Sequence, residues 1–157
     1  MNREIEEIKE GFYMRYLKLK LELSTLESEI DVMKKKYDQE LYSGCHEVKG
    51  IDYSKSPVSK DTKDITSFYE DFILLTKKIR KKEEYREKLN DAIAAMEKDF
   101  KEYAEEFNDV EMKLFIEMHV YGKKLNQILI KKNNQEYYSL RQIKRFNQNL
   151  KKKLKNF

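Results

Sequence analysis

Apolar side chains recur from Ile5 onward at steps of three and four: Ile5, Ile8, Phe12, Tyr16, Leu19, Leu23, Leu26, Ile30, Met33, Tyr37 and Leu41. That spacing gathers them on one helical face. Its near-heptad rhythm, with extra steps of four at Phe12 to Tyr16 and at Tyr37 to Leu41, reads as a seam with stutters. No proline interrupts residues 1–42, so one long helix is predicted there. A more regular pattern starts at Ile65. With Ile65 as position a, the a series is Ile65, Phe72, Ile79, Arg86, Ile93, Phe100 and Phe107, and the d series is Phe68, Leu75, Lys82, Leu89, Met96, Tyr103 and Val110. Only Lys82 and Arg86 are not apolar. Such polar seam residues either fix register or mark where a partner helix ends. Residues 64–107 are thus predicted as a second long helix. Neither helix can bury its stripe alone, and two pairings satisfy the pattern: an antiparallel hairpin within the chain, or association with a second copy.

Residues 43–63 lose the periodicity and hold two of the four glycines and the only proline, which predicts a loop or linker. Beyond the second helix, Asp109 is placed to cap a short amphipathic helix carrying Val110, Leu114, Phe115, Met118 and Tyr121, with Gly122 as its stop. Leu125, Ile128 and Leu129 suggest another short helix, followed by a polar stretch over 131–136. Ser139 and Gln142 have the spacing of a capping box. Leu140, Ile143, Phe146, Leu150 and Leu154 then line one face of a final helix, leaving Arg141, Gln142, Lys144, Arg145, Gln148, Asn149 and Lys152 on the other. The predicted fold is all-α: a long helical, coiled-coil hairpin followed by a helix-turn-helix domain over residues 108–157.

Charge sharpens this picture. Residues 122–157 carry eleven basic side chains and one acidic one, a net of +10, whereas residues 1–121 carry 22 basic and 28 acidic, a net of −6. An overall charge of +4 conceals an acidic body with a basic, helical end, the footprint expected of a nucleic-acid-binding module. In a helix-turn-helix the last helix enters the major groove. Arg141, Arg145 and Gln148 share one stripe, and Arg suits guanine edges as Gln suits adenine. Lys123, Lys124, Lys144, Lys151 and Lys152 are the candidates for phosphates. Ser139 and Gln142 stand at the helix start, where base contacts concentrate.

Two runs also carry a family resemblance: Leu114-Phe115 with Tyr121-Gly122-Lys123-Lys124-Leu125-Asn126-Gln127-Ile128, and Tyr138-Ser139-Leu140-Arg141-Gln142-Ile143-Lys144-Arg145. Together they resemble region four of bacterial sigma factors, most closely the phage-encoded regulators of the ArpU and RinA type. The segment Gly50-Ile51-Asp52-Tyr53-Ser54-Lys55 resembles linkers in the same group. The resemblance implies a cytoplasmic transcription regulator of phage or prophage origin. Its partners would be double-stranded DNA and, through the coiled coil, a second copy or RNA polymerase. The chain departs from the family at Leu129, where a small residue is usual, and in a longer stretch between Leu129 and Ser139.

Other classes fit less well. A coiled-coil scaffold with a basic, non-specific nucleic-acid-binding end has no need of the capping box or the Arg/Gln stripe. An RNA-binding arm could stack bases on Tyr137, Tyr138 or Phe146. An enzyme is not expected: there is no Gly-rich phosphate loop, the histidines are His46 and His119, and no cofactor is implied. Cys45 is the sole cysteine, and Cys45-His46 alone does not make a zinc site. The N-terminus lacks a signal-peptide core. The longest strongly apolar run, 72–75, is far short of a membrane span, so a soluble, cytoplasmic protein is expected.

Overall fold

The computed structural model describes residues 2–47 and 65–155. Among these the chain is mostly helical, and the sole β pairing is one isolated bridge. The helices are α1 (Asn2–Glu47), α2 (Ile65–Glu106), α3 (Val110–Phe115) and α4 (Leu140–Lys155). The all-α class is as expected. α1 runs five residues further than predicted, and α2 matches its predicted span to within a residue at each end. Most of the linker expected at 43–63, and the side chains of Cys45, His46 and Ile65, lie outside the described residues. The chain divides into two compact units, residues 21–89 and residues 1–20 with 90–157.

In the unit of residues 21–89, the two helical segments meet within one chain and run antiparallel. Tyr85 hydrogen-bonds Glu22, Lys82 pairs with Glu29, Lys34 Nζ lies 2.6 Å from Glu83 Oε1, and the Tyr37 and Phe72 rings stack at 4.5 Å. Leu26, Ile30, Leu75, Ile79 and Leu89 are buried between them. Lys82, one of the two seam exceptions, therefore does not mark the end of its partner helix. It sits half-buried at the rim and takes a carboxylate from the opposite helix.

The other unit is built on an aromatic cluster. Tyr13 and Tyr16, both fully buried, close on Phe100 and Phe115, with Tyr13 stacked on Phe115 at 4.3 Å. Here the α1 seam is displaced from its predicted line. Ile5, Ile8 and Phe12 remain exposed, and Tyr13 takes the inward position instead. The step of four between Phe12 and Tyr16 rotates the apolar stripe. Packing then favours the pair of tyrosines three residues apart, which can meet two phenylalanines at once. The Tyr16 hydroxyl donates to Glu97 Oε1 at 2.7 Å, while the Tyr13 hydroxyl has no hydrogen-bond partner.

α3 begins as expected. The Asp109 side chain accepts from the Met112 amide at 3.0 Å, and the carboxylate also holds Lys9. The helix continues as a π-helical turn over Ile116–Val120, with the Tyr121 amide donating to the Ile116 carbonyl at 3.1 Å. Gly122 ends it at φ +64°, a left-handed value that glycine adopts without steric cost. A second small core joins α3 to the C-terminal segment: Leu114, Ile128, Ile130 and Ile143 are buried together, flanked by Val110, Met118, Leu125, Tyr138 and Phe146.

Candidate nucleic-acid interface

The chain between Gly122 and α4 is not the helix that Leu125, Ile128 and Leu129 suggested. Leu125–Gln127 form one 3-10 turn, after which the backbone extends. From Ile128 burial alternates: Ile128 and Ile130 are inside, while Leu129 is 75% exposed and Lys131 faces out. Lys131 bridges to Tyr137 in antiparallel fashion, and the Tyr138 amide donates to the Ile130 carbonyl at 2.9 Å. Asn133 shapes the bend between them. Its Oδ1 accepts from the amides of Gln135 at 3.1 Å and Glu136 at 2.9 Å, an Asx-type turn. The result is a small hairpin with Lys131 and Lys132 on its first arm, leading into the bend. β-branched Ile128 and Ile130 suit an extended segment buried on one side, and the amide of Asn133 replaces the backbone bonds a helix would have supplied.

α4 starts where the capping box placed it. The Gln142 amide donates to Ser139 Oγ at 3.4 Å, and the Ser139 amide donates to Gln142 Oε1 at 2.9 Å. Both side chains, expected at the DNA, are thus engaged in fixing the helix start. Ile143 and Leu150 are buried as expected, whereas Leu140 is exposed. Asn147 is buried in a position that the apolar pattern did not include, and its Oδ1 has no hydrogen-bond partner. Tyr138 meets Phe146 edge-on at 5.3 Å, packing the hairpin against the helix.

The outward face of α4 is basic. Arg141, Arg145, Gln148 and Lys152 follow one another at steps of four, three and four, so they lie within roughly 60° of each other on the side away from Ile143 and Leu150. All four are exposed. Lys144, Lys151 and Lys155, also exposed, flank this line. Lys124, Lys131 and Lys132 add exposed charge on the preceding segment. None of these basic groups has an ion-pair partner among the described residues. Two bases of the segment are used internally. Lys123 lies 2.5 Å from Glu117 and 5.6 Å from the centre of the Tyr121 ring. Lys153 holds Glu111 at 2.9 Å and approaches Glu6 at 3.9 Å. Burial acts to lower the Lys153 pKa. The Glu111 hydrogen bond and the charges of Glu111, Glu6 and Glu10 outweigh it, so the ammonium is held above its ordinary range.

Of the nine expected contact residues, Lys124, Arg141, Lys144, Arg145, Gln148 and Lys152 are therefore exposed without an ion pair. Ser139 and Gln142 serve the cap, and Lys123 is paired. Lys131 and Lys132 were read only as part of a polar stretch. Their place on a hairpin arm was signalled by the alternation at Ile128–Ile130 and the Asn133-Asn134 pair. No group of three or more metal-ligating side chains occurs among the described residues, and no described helix is long and apolar enough to cross a membrane. No protein-family model, curated protein or solved structure matches this chain.

Proposed function

We propose that this protein binds double-stranded DNA through the outward face of α4, as a transcription regulator that works by docking rather than by bond chemistry. The observation that carries the reading is the line Arg141, Arg145, Gln148 and Lys152, which is exposed and has no ion pairs among the described residues. The opposite face of the same helix is fixed by Ile143, Leu150 and the Lys153–Glu111 pair. A scaffold gains nothing from leaving so many like charges unneutralised on one helix, because they repel one another. A polyanion relieves that repulsion. The major groove is about 12 Å wide and admits an α-helix, and the sixteen residues of α4 reach about 24 Å.

In this reading Arg141, Arg145 and Gln148 face base edges, while Lys144, Lys151 and Lys152 meet phosphates. The element ahead of α4 differs from a helix-turn-helix in having a 3-10 turn and a hairpin where the first helix would stand. We assign Lys131 and Lys132, on the first arm of the hairpin, to the adjacent phosphate backbone, together with Lys124. The two long helices would supply the contact to a second copy or to RNA polymerase.

The test is binding of a duplex of about 25 base pairs, followed by fluorescence anisotropy, for the native chain and for an Arg141→Ala/Arg145→Ala variant. Loss of about tenfold or more in affinity with an unchanged helical circular-dichroism signal supports the reading. An unchanged affinity removes α4 as the docking helix. Binding that falls instead in a Lys131→Ala/Lys132→Ala variant alone would shift the site to the hairpin.

A further inference from the structure

Within the unit of residues 1–20 and 90–157, the displaced α1 seam leaves an open apolar groove of about 300 Å³ between the start of α1 and the end of α2. Ile5, Ile8 and Phe12 form one wall, and Met96, Phe100 and Tyr103 the other. The three α1 residues are exposed, Ile8 to 59%. They keep the three-and-four spacing of a helix-packing seam, but the groove between them and α2 stays open and leaves them exposed. A methionine and aromatic side chains on the walls suit an apolar helix face, since they adapt to its shape.

The rim supplies the chemistry of the occupant. Along α2, Asp99, Glu102 and Glu106 follow at steps of three and four, so their carboxylates run beside the apolar wall in one line. Asp99 itself borders the groove and has no ion-pair partner among the described residues. Glu102 meets Lys98 only loosely, at 3.8 Å between well-exposed side chains. The one lysine bordering the groove, Lys9, is already neutralised by Asp109.

We propose that this groove is the docking site for an amphipathic helix of a partner protein, with apolar residues at i, i+3 and i+7 and basic residues beside them. The apolar stripe would fill the groove between Ile8 and Phe12 on one wall and Tyr103 on the other. The bases would lie along Asp99, Glu102 and Glu106, where opposite charge steers the helix and fixes its direction. This surface is separate from the outward face of α4, and the inference does not depend on DNA binding.

The test uses a fluorescent eighteen-residue peptide with leucine at the i, i+3, i+7 and i+10 positions and lysine elsewhere. Its counterpart carries glutamate in place of every lysine. Binding to the full chain is followed by anisotropy, with two variants: Ile8→Glu in the groove, and Asp99→Lys/Glu102→Lys on the rim. All three positions are exposed, and circular dichroism together with a thermal melt verifies that each variant is folded. The expected result is saturable binding of the lysine peptide, weakened about tenfold by either variant, with salt dependence lost in the rim variant. The glutamate peptide would at most meet the basic face of α4, and such binding would be indifferent to Ile8→Glu. Equal binding of the lysine peptide to native and Ile8→Glu chains overturns the proposal. So does a native dimer in sedimentation that Ile8→Glu converts to monomer while the peptide fails to bind, because a second copy then covers the groove.

Discussion

Lys153, near the end of α4, holds the Glu111 carboxylate of α3 at 2.9 Å, with Glu6 of α1 at 3.9 Å on its other side. One ammonium thus joins the helix proposed to enter DNA to the body that carries it, and it is the one base of the final run used inward. The pair is partly buried, so removing the ammonium leaves the Glu111 carboxylate short of a partner. Lys153→Met should cost about 1 kcal/mol of stability by urea denaturation at pH 7. The Lys153 pKa is raised in the folded chain. Its contribution is therefore whole below the unfolded lysine value of 10.5 and fades as pH rises through the higher folded value. The difference between native and variant chains should shrink above that pH. A difference that persists undiminished there would show that packing, not charge, accounts for the residue.

Tyr13 and Tyr16 stand three residues apart, are equally buried, and are packed into the same aromatic cluster, yet only Tyr16 has a hydrogen-bond partner among the described residues. Burial raises the pKa of both, with the Glu97 hydrogen bond adding for Tyr16 and the Glu111 charge for Tyr13, so both hydroxyls stay protonated. Tyr16→Phe should therefore lose about 1 kcal/mol, because Glu97 loses its donor. Tyr13→Phe removes an unsatisfied buried hydroxyl and should be neutral or stabilising by about 1 kcal/mol. Chemical denaturation of the two variants decides this, and equal losses would contradict it.

His119 lies in the π-helical turn with its ring against Phe115 at 4.7 Å, and its carbonyl lies 3.5 Å from the Tyr16 hydroxyl. Burial holds its pKa below the ordinary 6.5. The unfolded chain therefore binds this proton first as pH falls, so the stability tied to the neutral ring is present above pH 6.5 and is lost below it. A His119→Gln chain should lose less stability than the native chain between pH 7 and pH 5, by a few tenths of a kcal/mol to about 1 kcal/mol. Parallel curves over that range would rule out the ring as the source.

Much of this architecture was legible in residue spacing. The heptad series from Phe68 to Tyr103 marked α2, Asp109 marked the start of α3, Gly122 the end of the π-helical turn that continues it, and Ser139 with Gln142 the start of α4. Each of these signals is local, a cap or a period that acts within a turn or two of the chain. What stayed hidden depends on tertiary choice. Phe12 and Tyr13 are both plausible inward residues, and only the positions of Phe100 and Phe115 select Tyr13. Leu129 looks like a core residue by type, yet the extended backbone turns it outward and buries Ile128 and Ile130 on either side. The Arg141, Arg145, Gln148 line could be read directly, because a helix period fixes which residues share a face once the buried face is known. That Lys123 and Lys153 are taken by Glu117 and Glu111 could not, since those pairs depend on how α3 lies against its neighbours.

The most direct test of the central claim is the affinity of the native chain for random-sequence duplex DNA across a salt series from 50 to 300 mM. If the lysines of the α4 face and the hairpin displace counterions from about five phosphates, log K should fall against log salt with a slope of about −4 to −5, and Lys144→Ala/Lys152→Ala should flatten it by about 2. A chain that does not bind duplex DNA at 50 mM salt, or binds with the same slope in the variant, would contradict the account.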